Sequence, residues 1–333
     1  MNSNRTGKAT RADVAELAQV STAVVSYVMN NGPKKVAPQT ASRVRQAAES
    51  LNYHPNAYAR ALRKGSGSLL GIIVPDFRNP YFALLNEAIE KEAYGRGYST
   101  MFLTAHSDPE LERKSIEKMV DREVDAIFMA PCQKVEELER LKDYECSFVM
   151  LENNVQIPGF ACISSDFCEG VRLAIDHLVW HGRTNLVMFY GEDNSRDESR
   201  IRVWYEKHEE HGLRRGRVYR SRYTHESAYR AATAMLDAGE RPDGIFVVSD
   251  FEAGGVLRAL HEHGIRVPED TSLISFDGTY FGLETWPQLT SVRQDIPRIA
   301  RGALEAALNP DAPGMQIIPV DMTIRESCGC HVA

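Results

Sequence analysis

Apolar positions near the start of the chain recur at helical spacing. Val14, Leu17 and Ala18 stand at i, i+3 and i+4, and Val25, Val28 and Met29 repeat the interval. Val44, Ala47, Ala48 and Leu51 carry it to i+7 on a third segment, so three short helices can share one small core. Thr10 and Ser21 precede the first two helices, where a hydroxyl can accept orphan backbone N–H groups, and Pro38 opens the third. Only Gln19, Val20 and Ser21 separate the first two, which forces the sharp crossing of a helix-turn-helix unit. A fourth helix is expected over Asn56 to Arg63, after Pro55.

Beyond Gly65, Ser66, Gly67 and Ser68, which mark a flexible joint, the pattern changes. LLGIIV at 69–74 is a continuous apolar run, as in a strand buried on both faces of a parallel sheet. A helix from Pro80 to Tyr94 follows, then strand YSTMFLT, helix 109–121, strand DAIFMA, helix 135–142 and strand FVMLE. From about Asp166 the alternation restarts: helix 168–181, strand NLVMFYG, a helix near 196–211, a strand near Val218, helix 226–238, strand GIFVVSD, helix 251–263 and strand SLISFDG. The fold class predicted is α/β: an all-α head, then two doubly wound lobes in series with a cleft between them.

Charge sharpens the division. Residues 1–65 carry ten Lys or Arg against three Asp or Glu, a net of +7, while the whole chain is −7 and residues 66–333 are therefore −14. A basic head on an acidic body suits a protein that grips phosphate with one part only. In a helix-turn-helix unit the second helix enters the DNA major groove. Its outward face shows Thr22, Ala23, Ser26, Tyr27 and Asn30, which read bases through hydroxyl and amide hydrogen bonds and apolar contact with thymine methyls. Lys34, Lys35, Arg43, Arg45, Arg60 and Arg63 are candidates for phosphate, with solvated surface charge as the alternative for each.

The run DVAELAQVSTAVVSYVMN, then VAPQTASRV, then LNYHPNAYARALR resembles the DNA-binding head of the LacI/GalR family of bacterial transcriptional regulators. The resemblance implies base reading by Thr22, Ala23 and Tyr27 and a DNA-contacting hinge helix from Asn56 to Arg63 in which Leu62, with Ala59 beside it, wedges into the minor groove. Departures are visible: Tyr27 replaces a commoner Arg, Gln19 a turn glycine and Val24 a Thr, and Ala37 stands where Ser or Thr often caps. NPYF at 79–82, SSDFCEG at 164–170, SDFEAGGVLRAL at 249–260, ISFDG at 274–278, LTSVRQD at 289–295 and the late IRES are similar to the family's ligand-binding core. That core is similar to periplasmic sugar-binding proteins, and implies three crossovers, near Asp166, Arg293 and Val320.

The resemblance divides the chain into a helix-turn-helix domain at 1–55, a hinge helix and linker at 56–68, and an effector-binding and dimerisation core at 69–333. Lobe one of that core spans about 69–165 and 294–320, lobe two about 166–293 and 321–330. It places Arg200 and Asp277 as polar clamps, Tyr81 and Phe82 as a stacking wall and Ser249 beside them. The competing readings pair Arg200 with Asp197 or Glu198, put Phe82 in the core and make Asp250 a helix cap.

Other classes fare worse. His177 and His181 at i, i+4 on a helix are a zinc-like pair with no HExxH frame and no third ligand in sequence, and no Walker loop, GxGxxG or GxSxG turn occurs, so no enzyme is expected and no cofactor or metal is assigned. Six cysteines, at 132, 146, 162, 168, 328 and 330, form no CxxC and are expected to be free thiols, with a metal or redox role for Cys328 and Cys330 left open. No apolar run approaches the ~18 residues of a membrane span and no apolar leader precedes the head, so a cytoplasmic, nucleoid-associated protein is expected rather than a secreted solute-binding protein. The chain stops after IRESCGCHVA without a leucine heptad tail, which makes a homodimer the expected assembly. The function expected is repression from operator DNA, controlled by a small polar metabolite such as a sugar.

Overall fold

The computed structural model describes residues 9–29, 36–51, 53, 68–133, 135–153, 156–191, 199–309 and 314–330. Two compact units result, Met1–Gly67 and Ser68–Ala333. Asn30, Lys34, Lys35, Asn56, Ala59, Arg60, Leu62 and Arg63, with the whole expected hinge helix, lie outside the described residues.

In the first unit α1 (Arg11–Leu17), α2 (Thr22–Met29) and α3 (Pro38–Ser50) enclose Val14, Ala15, Ala18, Val25, Val28, Val44, Ala47 and Ala48. Thr10 and Asp13 cap α1 reciprocally: the Asp13 N–H donates to the Thr10 hydroxyl at 3.3 Å and the Thr10 N–H to the Asp13 carboxylate at 2.7 Å. The Val24 N–H donates to the Ser21 hydroxyl at 3.4 Å, whereas Ala37 gives α3 no side-chain cap. Leu17 corrects the expected stripe, because it is 54% exposed. At 100° per residue, Val14, Ala15 and Ala18 define the buried face and residue 17 points about 100° away from its centre. Gln19 has φ 52, so the turn does require the left-handed conformation that glycine adopts without strain.

The second unit is built on two six-stranded sheets. Strands β1 (Leu69–Val74), β2 (Ser99–Thr104), β3 (Ala126–Met129), β4 (Ser147–Leu151), β5 (Ala161–Ser165) and β11 (Met315–Ile318) form the first, in the order β11-β5-β4-β3-β1-β2, all parallel. The second contains β6 (Leu186–Gly191), β7 (Arg217–Ser221), β8 (Gly244–Val247), β9 (Ser272–Asp277), β10 (Thr290–Arg293) and β12 (Asp321–Thr323), in the order β12-β10-β9-β8-β6-β7. Only the β10–β12 pair is antiparallel. Period-two alternation divides each strand between two cores: Leu70, Ile72 and Val74 face one side of the first sheet and Ile73 the other. In the second sheet Phe246 and Ile245 face opposite sides in the same way.

The helices follow their strands: α4 (Pro80–Gly95), α5 (Pro109–Val120) and α6 (Val135–Leu138) in the first lobe, α7 (Phe167–Trp180), α8 (Ser199–Glu210), α9 (His225–Asp237), α10 (Asp250–Glu262) and α11 (Phe281–Glu284) in the second. The helix expected at 135–142 is a four-residue turn continued by a 3-10 segment, Glu139–Asp143. After β10 the chain returns to the first lobe, where α12 (Ile296–Leu308) buries Ile299, Ala300, Ala303 and Leu304 in that core. It passes between sheets three times: after Ser165, after Arg293 and between Ile318 and Asp321. No helix among the described residues is long and apolar enough to cross a membrane.

Candidate functional site

Two regions carry chemistry. On α2, Thr22 and Ala23 are exposed and Ser26 and Tyr27 half-buried, while Val25 and Val28 anchor the opposite face. Arg43 and Arg45 are exposed on α3. The face is therefore polar, small and held by a core only a few side chains thick.

The other region is a cleft of about 1020 Å³ between the two sheets. Its walls follow the carboxyl ends of the strands, where doubly wound sheets open at their topological switch points. Pro75 and Asp76 follow β1, Ala130 to Gln133 follow β3, Glu152 follows β4, and Tyr190 and Asp277 close β6 and β9. Tyr81, Phe82, Arg200, Ser249 and Asp277 all line this one cleft.

Each is fixed by its surroundings. Arg200, in the first turn of α8, lies with its guanidinium carbon 4.5 Å from the Phe167 ring centre and 4.9 Å from that of Tyr190. Its Nη2 donates to the Tyr223 hydroxyl at 3.1 Å. Gly191 makes room for that tyrosine, since a Cβ there would sit 2.3 Å from the ring. Stacking on two rings and the bond to Tyr223 orient a planar fork that lines the cleft, a shape suited to paired oxygens. The acidic pairing considered for Arg200 involves Asp197 and Glu198, which lie outside the described residues.

The same cleft is lined by two carboxylates at strained backbone positions, Glu152 with φ 56 and Asp277 with φ 108. The Tyr81 hydroxyl donates to Glu152, and the Phe82 ring packs edge-on to Tyr81 at 5.3 Å. Phe82 also touches the lobe-one core, so it serves packing and cleft wall together. Gln294 bridges the lobes: it donates to Asp277 at 3.0 Å and accepts from the Ser165 hydroxyl at 2.5 Å. Burial pushes Glu152 up to about 7. Burial, then the neighbouring Asp250 charge, pushes Asp277 well above the ordinary carboxylate range.

Ser249 is the cap of α10, its hydroxyl accepting from the Phe251 N–H at 3.2 Å, so the capping role considered for Asp250 belongs to Ser249. Asp250 is instead the centre of a buried network, accepting from Ser275 at 2.5 Å, Ser291 at 2.7 Å, and the Thr279 N–H and hydroxyl at 2.7 and 2.8 Å. Glu112 does similar work in lobe one, accepting from the Cys132 N–H at 2.6 Å and the Gln133 side chain at 2.9 Å, which sets the loop after β3. Phe167 and Gln294 fall inside the SSDFCEG and LTSVRQD segments, whereas Glu152, Tyr190 and Tyr223 lie in no family-like segment and are signalled only by closing or following a strand.

Comparison with known proteins agrees with both regions. Residues 10–56 match the family of bacterial regulatory proteins, lacI family, and residues 175–328 match a periplasmic binding protein-like domain. The HTH-type transcriptional regulator GalR of Escherichia coli (strain K12) is 34% identical over 308 residues, covering 90% of this chain and 88% of GalR. The structure of the lac repressor dimer bound to operator and the anti-inducer ONPF superposes with a TM-score of 0.86 at 23% identity, covering 97% of this chain and 99% of that one. The transcriptional regulator CelR–cellobiose complex gives a TM-score of 0.71 at 22% identity, with 96% and 99% covered. The basic helix-turn-helix head, the two-lobed core and a relative of this identity along nearly the whole length make the chain a member of the LacI/GalR family of DNA-binding transcriptional regulators.

Proposed function

We propose that the chain is a repressor that binds a two-fold symmetric operator as a homodimer and is controlled by a small polar metabolite of the sugar class held between its lobes. The cleft carries the reading. Aromatic faces, the Arg200 fork and acceptors on Glu152 and Asp277 are the donor, acceptor and stacking set that a polyhydroxylated ring requires. The GalR name, the operator-bound lac repressor dimer and the cellobiose complex of CelR support the same assignment for this chain. Thr22, Ala23, Ser26, Tyr27 and Asn30 read bases; Asn56, Ala59 and Leu62 form the hinge contact; Tyr81, Phe82, Arg200, Ser249 and Asp277 hold the effector. In this reading 1–55 is the DNA-binding domain, 56–68 the hinge and linker and 69–333 the effector core, and the protein works on the bacterial nucleoid in the cytoplasm.

A second reading narrows the ligand. Among the described residues Arg78, Arg200, Arg220 and Arg222 line the cleft with Asp76, Glu152 and Asp277, and the last two are held above their ordinary pKa. That balance favours a sugar carrying a phosphate or carboxylate over a neutral one. Selection of bound genomic fragments, followed by titration of the best duplex with neutral sugars, sugar phosphates and sugar acids, tests both readings. One class should shift operator affinity; no preference for any fragment over random competitor would end the proposal.

A further inference from the structure

We propose that His177, His181, Cys328 and Cys330 form a closed, structural Zn²⁺ site in the second lobe, remote from the effector cleft. The sequence offers half a site twice, a histidine pair one helical turn apart and a CGC at the far end of the chain. Folding joins the halves across 149 positions.

His177 and His181 close the last turn of α7, and the segment after β12 returns to lie against them. The four ligating atoms all lie within 4.8 Å of one another. His181 Nε2 is 3.2 Å from the Cys330 sulfur and His177 Nε2 3.6 Å from the same atom. A tetrahedral shell with Zn–S about 2.3 Å and Zn–N about 2.0–2.1 Å sets nitrogen and sulfur about 3.5 Å apart, between these two values.

The surroundings hold both sulfurs in place. Gly329 has φ 97, a conformation glycine adopts freely, and it folds the two cysteines toward one point. The Cys328 sulfur is buried and receives the Thr290 hydroxyl at 3.1 Å and the Cys330 N–H at 3.4 Å, donors that stabilise negative charge on sulfur. The Trp180 ring packs on both imidazoles, at 5.6 and 4.7 Å, and limits their rotation. Two imidazoles and two thiolates match Zn²⁺ by softness and number. All four positions are protein-filled, so the site has no place for substrate and acts as a fastening between α7 and the last turn of the chain. On binding, two thiols release their protons to solvent and the metal takes both sulfur lone pairs, with no change of oxidation state.

The test uses full-length protein purified under reducing conditions without a metal-chelating resin. Elemental analysis should find about one Zn²⁺ per chain. Titration of chelator-treated protein with Co²⁺ should give tetrahedral visible bands and a thiolate charge-transfer band that saturate at one equivalent. Both signals should be lost in Cys330→Ser and in His177→Gln and kept in the control Cys146→Ser. Should a variant fail to fold by circular dichroism, the wild-type protein decides: an organomercurial that modifies thiols should release the zinc, read with a colorimetric chelator. Wild-type protein that binds no more Co²⁺ than Cys330→Ser, or that holds Cys328 and Cys330 as a disulfide and retains no zinc, would overturn the proposal.

Discussion

The head and the body solve the same problem of burial with different materials. Among the described residues the buried side chains of the head are valines and alanines, with Met29, Leu51 and Tyr53 packed at the edge, so that each of its three helices buries a narrow stripe and leaves a small polar face outward. The body buries Trp204, Phe128, Phe189, Phe246 and Phe276 completely and then adds fully enclosed carboxyls such as Glu112, Asp250 and Glu252. A thin aliphatic core specifies a shape with little stability to spare, whereas a thick aromatic core can carry the cost of buried acids and strained backbone at its cleft. The difference assigns surface reading to one unit and an enclosed, chemically tuned cavity to the other.

Unequal core depth gives the largest expected effect. Trp204→Ala should destabilise the body by about 3–5 kcal/mol, while Val44→Ala in the head should cost only about 1–2 kcal/mol, because a cavity scales with the volume removed. Calorimetry of the full chain reads both, and equal losses would break the contrast.

Buried acids give the next. Burial lifts the carboxyls of Glu152 and Glu252 from 4.5 to about 7. Between those values the folded chain keeps protons that the unfolded chain has lost, so this contribution is fully present below pH 4.5 and fades as the pH rises through 7. A tenfold difference in proton affinity between the folded and unfolded chain is worth about 1.4 kcal/mol for each group. Denaturant midpoints measured from pH 4.5 to 8 should fall for the wild type and fall less for Glu252→Gln; an unchanged slope in that variant would remove Glu252 from the account.

Asp250→Ala leaves the hydroxyls of Ser275, Ser291 and Thr279 without their shared acceptor and should cost about 1–3 kcal/mol in the body. In the head the smallest effect runs the other way. Gln19→Gly relieves a left-handed residue at φ 52 and should raise head stability by up to about 1 kcal/mol, visible as slower amide exchange in α1 and α2.

The same contrast explains what the sequence makes legible. Head helices announce themselves through Thr10, Ser21, Pro38 and their apolar spacing, and the one misplaced residue, Leu17, is a phase error within a seven-residue helix. Apolar strands such as LLGIIV are equally plain, but ACISS at 161–165 is not, because Ser164 and Ser165 are buried hydroxyls that look like surface. The α12 helix is not among the elements expected from the sequence, although Asp295 caps it and Pro297 sits in its first turn. The cleft is legible only where the family resemblance supplies positions, as at Arg200 and Asp277. Glu152 and Tyr223 are brought there by the strand order and by a glycine that admits a ring, which no local pattern encodes, while Gln294 lies within LTSVRQD at a lobe crossing. The histidine and cysteine cluster is hidden for the same reason, being split between a helix end and the last turn of the chain.

Operator binding by wild-type and Arg200→Ala protein, each with and without the effector identified by titration, tests most directly whether the body governs the head. The account predicts that effector changes wild-type operator affinity by about 5- to 150-fold, the usual size of a coupling of ~1–3 kcal/mol, with operator changing effector affinity by the same factor. Arg200→Ala should bind operator as the wild type does and lose the response. An Arg200→Ala protein that keeps the full response would contradict the account.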